Sequence, residues 1–298
     1  MSSGHRNGRR DADELAVRAV DDAIAELNHF QLLANPEMEA GYHETYVPQH
    51  RAEYVRTVRD VLKHRPTSDS NRIKVLEIGA FFGVVCIALA SLGYDVTAAD
   101  VPEYIDLPEQ TARYGRFGIK TKGVRLENYI LPFDDEQFDV IVMCEVLEHL
   151  NFNPLPLLKE INRIGAHGSL FYLSMPNASS IYHRVHVARG NTGGVQVSEF
   201  FEQLDPTNSL IANGHWREYT AAETRQMLEQ LGYRIADQYF FSVGDSRPPR
   251  SMKGRVFRLF LKRWPQFKEN QTTIALREKR TELLFDIPQT VHPTLRQL

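Results

Sequence analysis

Apolar positions along the chain change period at about residue 73. Before it, Leu15, Val20, Ile24 and Leu27 recur at roughly helical spacing and predict an amphipathic helix over 13–27. A second helix is predicted over 48–64, with Tyr54, Val55, Val58, Val61 and Leu62 on its apolar side. Pro66-Thr67-Ser68-Asp69-Ser70-Asn71 then reads as a turn-rich linker. Beyond it, short apolar runs at 73–78, 94–99, 123–126, 138–143, 169–174, 233–242 and 271–277 predict seven strands. Helical stretches at 83–92, 109–114, 145–150, 154–164 and 221–231 fall between them. Such alternation implies an α/β fold with a doubly wound, mostly parallel sheet covered on both faces. Ligands of such sheets sit outside the carboxyl ends of the strands.

These elements divide the chain. Residues 1–10 are polar and read as disordered, 11–66 as an N-terminal helical segment, and 71–278 as the sheet domain. Within that domain, 178–216 has no strong period and reads as an inserted lid over an acceptor. The tail 279–298 carries Leu283, Leu284, Phe285 and Ile287, a surface for a homodimer. With 298 residues and 42% hydrophobic content, the chain has ample material for a core. No apolar run reaches the roughly 18–20 residues that span a bilayer, and the polar start lacks the apolar stretch of a secretory signal. The two cysteines, Cys86 and Cys144, sit in apolar segments and read as reduced core residues of a cytoplasmic protein. A net charge of −3 gives no overall pull toward nucleic acid.

Candidate chemistry follows the strands. After the first comes Glu77-Ile78-Gly79-Ala80-Phe81-Phe82-Gly83. Gly79 permits a tight turn against a ligand, and Gly83 permits close packing of the next helix. A pyrophosphate cradle would need G-x-G-x-x-G, which is absent, and Glu77 would repel it. A carboxylate instead suits the ammonium of an amino-acid-like ligand. By itself the glycine pair reads equally as an ordinary strand-to-helix turn. Asp100, ending the second strand, is placed to accept two ribose hydroxyls.

Together with Leu131-Pro132-Phe133, Phe138-Asp139-Val140-Ile141 and Glu145-Val146-Leu147-Glu148-His149, these motifs resemble the class I S-adenosylmethionine-dependent methyltransferases, notably the ubiquinone-biosynthesis O-methyltransferase branch. The resemblance covers 74–177 and resumes over 215–232. It implies a Rossmann-like domain and S-adenosylmethionine as methyl donor. Carried over by position, it assigns the methionine moiety to Glu77 and Gly79, with Ala80, Phe81, Gly83 and Glu145 around it. Asp100 and Val101 fall at the ribose, and Glu127 and Asn128 at the adenine. Phe81 departs from the pattern, since many members carry a middle glycine there.

Glu145, Glu148 and His149 stand at i, i+3 and i+4, which places them on one face if the segment is helical. One reading makes His149 a general base, with Glu148 and His215 beside it. A second binds Mg²⁺ or Mn²⁺ through Glu145, Glu148, His149 and His215, a set that resembles the metal site of plant-type small-RNA 2′-O-methyltransferases. A third leaves the carboxylates as favourable charges at a helix N-terminus and His149 as packing. Tyr182, His186, Trp216 and Tyr219 are the candidate acceptor contacts; aromatics mixed with imidazoles suit a sugar-like acceptor.

Between 247 and 268 eight Lys or Arg residues interleave with Val256, Phe257, Leu259, Phe260 and Trp264. That segment reads either as a solvated helix over the sheet edge or as a surface for a membrane, a nucleic acid or a partner. The expected function is methyl transfer to a hydroxyl of a sugar, glycoside or related small molecule. An RNA 2′-O-methyltransferase and a non-catalytic cofactor-binding scaffold are the alternatives. Net acidic charge and the lack of an RNA-binding module argue against the first, and retention of His149 against the second.

Overall fold

A computed structural model describes residues 4–28, 42–67, 72–192, 194–202, 214–242, 245, 249 and 251–282. Its strands are β1 (Lys74–Ile78), β2 (Asp95–Asp100), β3 (Lys120–Gly123), β4 (Phe138–Cys144), β5 (Gly165–Pro176), β6 (Tyr233–Phe241) and β7 (Asn270–Arg277). They form one seven-stranded sheet in the order β3-β2-β1-β4-β5-β7-β6. Pairs from β3 through β5 are parallel, and β7 runs antiparallel to both β5 and β6. The mostly parallel α/β sheet expected from the alternation is the fold observed.

The helices are α1 (Gly4–Asn28), α2 (Tyr42–His64), α3 (Val84–Ser91), α4 (Pro102–Ile105), α5 (Pro108–Arg116), α6 (Leu155–Ile164), α7 (Ile181–Ala188), α8 (Val197–Glu202), α9 (Ala221–Gln230) and α10 (Met252–Arg263). Strand periodicity divides the core between the two sheet faces. Val140 and Val142 of β4 pack with α1, α2 and α3, while Ile141 and Met143 pack with α6 and α9. Leu170 and Tyr172 of β5 alternate with Phe171 and Leu173 in the same way. Strands buried on both faces must be apolar throughout, which is why these runs stand out in the sequence.

Several elements depart from expectation. α1 and α2 share the core of the sheet: Ala16, Val20, Ala23, Val58 and Val61 lie in the same cluster as Val75 and Leu89. α1 begins at Gly4 rather than at 13, running through the polar stretch read as disordered, which holds no proline to interrupt a helix. α2 starts at Tyr42 and carries Pro48 inside, although proline suits a first turn better. β3 lies three residues before its expected place; it is an edge strand, Lys-Thr-Lys-Gly, and charged edges lack the apolar run used to find strands. Residues 145–150 form a short 3-10 turn, Leu147–His149, instead of an α-helix. The stretch 178–216, expected to lack regular structure, contains α7, whose Ser180 cap accepts a bond from the His183 amide, and α8. Residues 68–71 of the expected linker, residues 193 and 203–213 of the expected lid, and the tail from 283 lie outside the described residues. Cys86 and Cys144 are both free thiols. No described helix is long and apolar enough to cross a membrane.

Candidate active site

Strand order reverses between β1 and β4, so the segments leaving these neighbours meet at the sheet's carboxyl edge. They touch closely. A Cβ on Gly79 would lie 2.3 Å from Val146 Cγ2, and its φ of +76° is itself costly for other residues. The amides of Gly79 and Ala80 both donate to the Ala99 carbonyl, at 2.9 and 3.2 Å, fastening the turn to β2. Phe81 holds a left-handed φ of +44°, so the position that departs from the family pattern keeps a glycine-like backbone. Its amide donates to Asp100 Oδ2 at 2.8 Å, and Tyr114 donates its hydroxyl to the Phe81 carbonyl at 3.2 Å. Arg113 adds a bond to the Phe82 carbonyl at 2.7 Å.

Two carboxyl groups lie along this turn. Asp100 accepts from the Phe81 and Val101 amides, one bond on each oxygen, which leaves each oxygen capacity for another donor. Its burial raises it above the usual carboxylate range, against the pull of those bonds. Glu77 is 6% exposed and accepts the Cys86 thiol at 2.8 Å. Burial pushes Glu77 to about 8, opposed by the Cys86 bond and assisted by Asp100. Glu127 and Asn128 sit exposed on a 3-10 turn, Leu126–Asn128, with Arg125 3.9 Å from Glu127.

The second half of the site follows β4. Glu145 takes a positive φ of +52° while its amide donates to the Ser174 carbonyl at 2.9 Å, a kink that ends the strand and prevents a helical 145–149 face. Glu148 is fully buried; burial raises it to about 7, and burial together with Glu148 and Glu53 holds Glu145 well above the ordinary range. The Glu145 and Glu148 carboxyls lie against each other in this buried pocket. His149 Nδ1 lies 3.2 Å from the Gly214 carbonyl; a carbonyl only accepts, so Nδ1 carries the proton and Nε2 is the basic nitrogen. Nε2 is 4.0 Å from Glu148 Oε1. The His149 and His215 rings meet edge to face at 4.9 Å. One ligating atom each from Glu148, His149 and His215 fall within 4.8 Å of one another. Glu145 stands outside that set, so of four residues proposed for a metal the fold gathers three.

Of the acceptor candidates, Trp216 and His186 are half-buried and Tyr182 is exposed on α7. Tyr219 is a core residue instead of an open wall: its backbone bridges to Asn177 and its carbonyl accepts from Gln271 at 2.6 Å. Other residues near these were not among the expected site residues. Glu218 joins His215 at 2.9 Å to His183 at 2.6 Å. From α2, Tyr46 packs edge-on to Phe81 at 5.6 Å and stacks on His50, and Glu53 accepts from Asn270 at 3.3 Å. The spacing of Tyr46, His50, Glu53 and Tyr54 marks a single helical face, a signal visible in the sequence.

A family model described as a methyltransferase domain matches residues 49–238. The chain belongs to the class I S-adenosylmethionine-dependent methyltransferases. This methyltransferase is 28% identical over 141 residues to the ubiquinone biosynthesis O-methyltransferase of Bordetella avium, covering 42% of this chain and 50% of that protein. It is 28% identical over 111 residues to the enzyme of the same name from Glaesserella parasuis, covering 36% and 47%. The chain thus spans about half the length of the curated relatives it matches. Among solved structures, a Haloferax volcanii methyltransferase in complex with the Trm112 methyltransferase activator superposes with a TM-score of 0.53 at 18% identity, over 78% of this chain and 93% of that one. That likeness concerns the fold.

The methyltransferase's own residues fit its cofactor. Glu77 is a buried carboxyl that accepts from the Cys86 thiol, and an amino-acid ammonium there would favour its charged form. Asp100 retains one acceptor position per oxygen for a ribose diol.

Proposed function

We propose that this methyltransferase methylates a hydroxyl group of a sugar, glycoside or related small molecule. The observation that carries the reading is His149, whose Nδ1–H is engaged by the Gly214 carbonyl so that Nε2 can accept a proton. Bound S-adenosylmethionine supplies a methyl group on an electrophilic sulfonium. His149 Nε2 would take the proton of the acceptor hydroxyl as its oxygen bonds to the methyl carbon and the carbon–sulfur bond breaks, the electron pair leaving on sulfur as the neutral thioether. A positioned base of this kind contributes about 10²–10⁴-fold. Glu148 balances the imidazolium that results, at 4.0 Å from Nε2. His183, Glu218 and His215 offer donors and acceptors for further hydroxyls. Relatives named for O-methylation support transfer to oxygen.

The grouping of Glu148, His149 and His215 favours a second reading, a divalent cation. A buried carboxylate and two imidazoles form a suitable donor set. Such a cation would grip adjacent hydroxyls and acidify one. His149 would then be a ligand and could not also take a proton.

Turnover of labelled cofactor against panels of hydroxylated glycosides and RNA tests the proposal. Methylated glycoside supports it, and transfer to RNA alone overturns it. His149→Ala should cut turnover at least about a hundredfold with little change in cofactor affinity. Chelator-sensitive turnover restored by Mn²⁺, with Mn²⁺ binding seen by calorimetry and lost in His215→Ala, selects the second reading.

A further inference from the structure

α10 is amphipathic in the reverse of the usual sense. Its only buried residue is Leu261. Met252, Val256 and Leu259, at i, i+4 and i+7, form one stripe and are 70%, 60% and 66% exposed. Apolar stripes of surface helices ordinarily turn inward. Lys253 flanks this one on one side and Arg255 and Lys262 on the other, all exposed, while the helix holds no acidic residue. α7 continues the surface: Tyr182 meets Phe257 edge-on at 6.4 Å, and the exposed Arg184 lies over the Phe267 ring at 5.1 Å. Among the described residues, eight of the fourteen exposed large apolar side chains belong to α7, to α10 or to Trp264 just beyond it. Scattered single residues would need no explanation; a joined patch of this kind marks a contact.

We propose that the α7–α10 surface docks on an anionic membrane. Charge and shape select this occupant. The five cations of α10 contrast with a whole-chain charge of −3, so the basic character is local to the apolar stripe. An outward apolar stripe edged by Lys and Arg matches a helix lying in the headgroup plane, with the apolar side chains in the acyl boundary and the cations on the phosphates. A second copy fits poorly, because a self-complementary interface would set one basic edge against another. Nucleic acid would leave the central apolar stripe against phosphates.

The surface also sits at the working end of the sheet. β6 ends and β7 begins opposite Pro176, the carboxyl end of β5, so α10 rises from the edge that carries the site. Asn177 ties the two together by donating to the Gln266 and Lys268 carbonyls at 2.9 and 2.8 Å. Docking by this surface turns the edge that holds the acceptor residues toward the bilayer.

The test is sedimentation of the full chain with vesicles of pure phosphatidylcholine and vesicles mixing phosphatidylcholine with phosphatidylglycerol, without cofactor, so that it stands apart from methyl transfer. The chain should pellet with the mixed vesicles at least about tenfold more tightly than with the neutral ones, less so as salt rises. The double variant Val256→Asp/Leu259→Asp should lose that binding with unchanged cofactor affinity. Should the aspartates disturb folding, Lys253→Gln/Arg255→Gln/Lys262→Gln decides the matter by the same loss. Failure to pellet with either vesicle, or pelleting untouched in both variants, overturns the proposal. So does a dimer in vesicle-free solution that the variants dissociate, or displacement from vesicles by RNA.

Discussion

Replacing Glu77 by Gln should stabilise the cofactor-free protein at high pH while weakening its grip on the cofactor. Burial raises this carboxyl from 4.5 to about 8. A group that binds its proton more tightly folded than unfolded stabilises the fold when protonated. That stability is fully present below the unfolded value and is lost progressively as pH rises through 4.5 toward about 8. At about 1.4 kcal/mol per pH unit, the whole range corresponds to roughly 5 kcal/mol. Glutamine carries no charge, so it escapes the loss, though it also gives up the Cys86 bond to a charged acceptor. A net gain of about 2–4 kcal/mol for Glu77→Gln near pH 8.5, shrinking to about zero near pH 5, is expected. Urea unfolding of both proteins at the two pH values measures it. Taking the difference between variants cancels Glu145 and Glu148, whose raised values act in the same direction. Calorimetry at the higher pH should show cofactor affinity at least about tenfold weaker in the variant, the scale of a lost charge-assisted hydrogen bond. A variant as unstable at pH 8.5 as the parent would refute the argument from burial.

Two further outcomes follow from the same turn. Gly83→Ala should destabilise the fold by about 2–5 kcal/mol, since a left-handed Cβ costs about 1–2 and overpacking about 1–3. The added atom would lie 2.4 Å from the Tyr114 hydroxyl, whose ring is wholly buried, and an unchanged melting curve would refute this. Tyr46→Ala should weaken cofactor binding measurably while leaving the fold intact, because Tyr46 packs on Phe81 and is only half-buried; equal affinity in a titration would remove α2 from the site.

What the sequence revealed follows the physics of burial. β1, β4 and β5 announce themselves because both faces are covered, and the Thr220 cap with Glu223 is the capping box its pattern predicts. β3 is missed by three residues because an edge strand needs no apolar run. Glu145 and Glu148 were legible as a pair but not as a geometry: a helical face was assumed, and the φ of +52° at Glu145 supplies a kink instead. Glu218 stands only three residues from His215, but His183 reaches the pair through tertiary folding, which no local period encodes. The contribution of α2 lay in plain spacing, hidden by drawing a boundary at 66 through a shared core.

Arg113 has a consequence for motion. Its guanidinium holds the Phe82 carbonyl and, at 2.9 Å, Glu26 near the end of α1; Arg116 grips the other Glu26 oxygen at 2.5 Å. The last turn of α1 and the glycine turn therefore cannot open independently without stranding a buried cation. They are tied into one unit through the Arg113 guanidinium. The first helix, remote from the glycine turn in sequence, is thereby part of the scaffold that holds that turn in place.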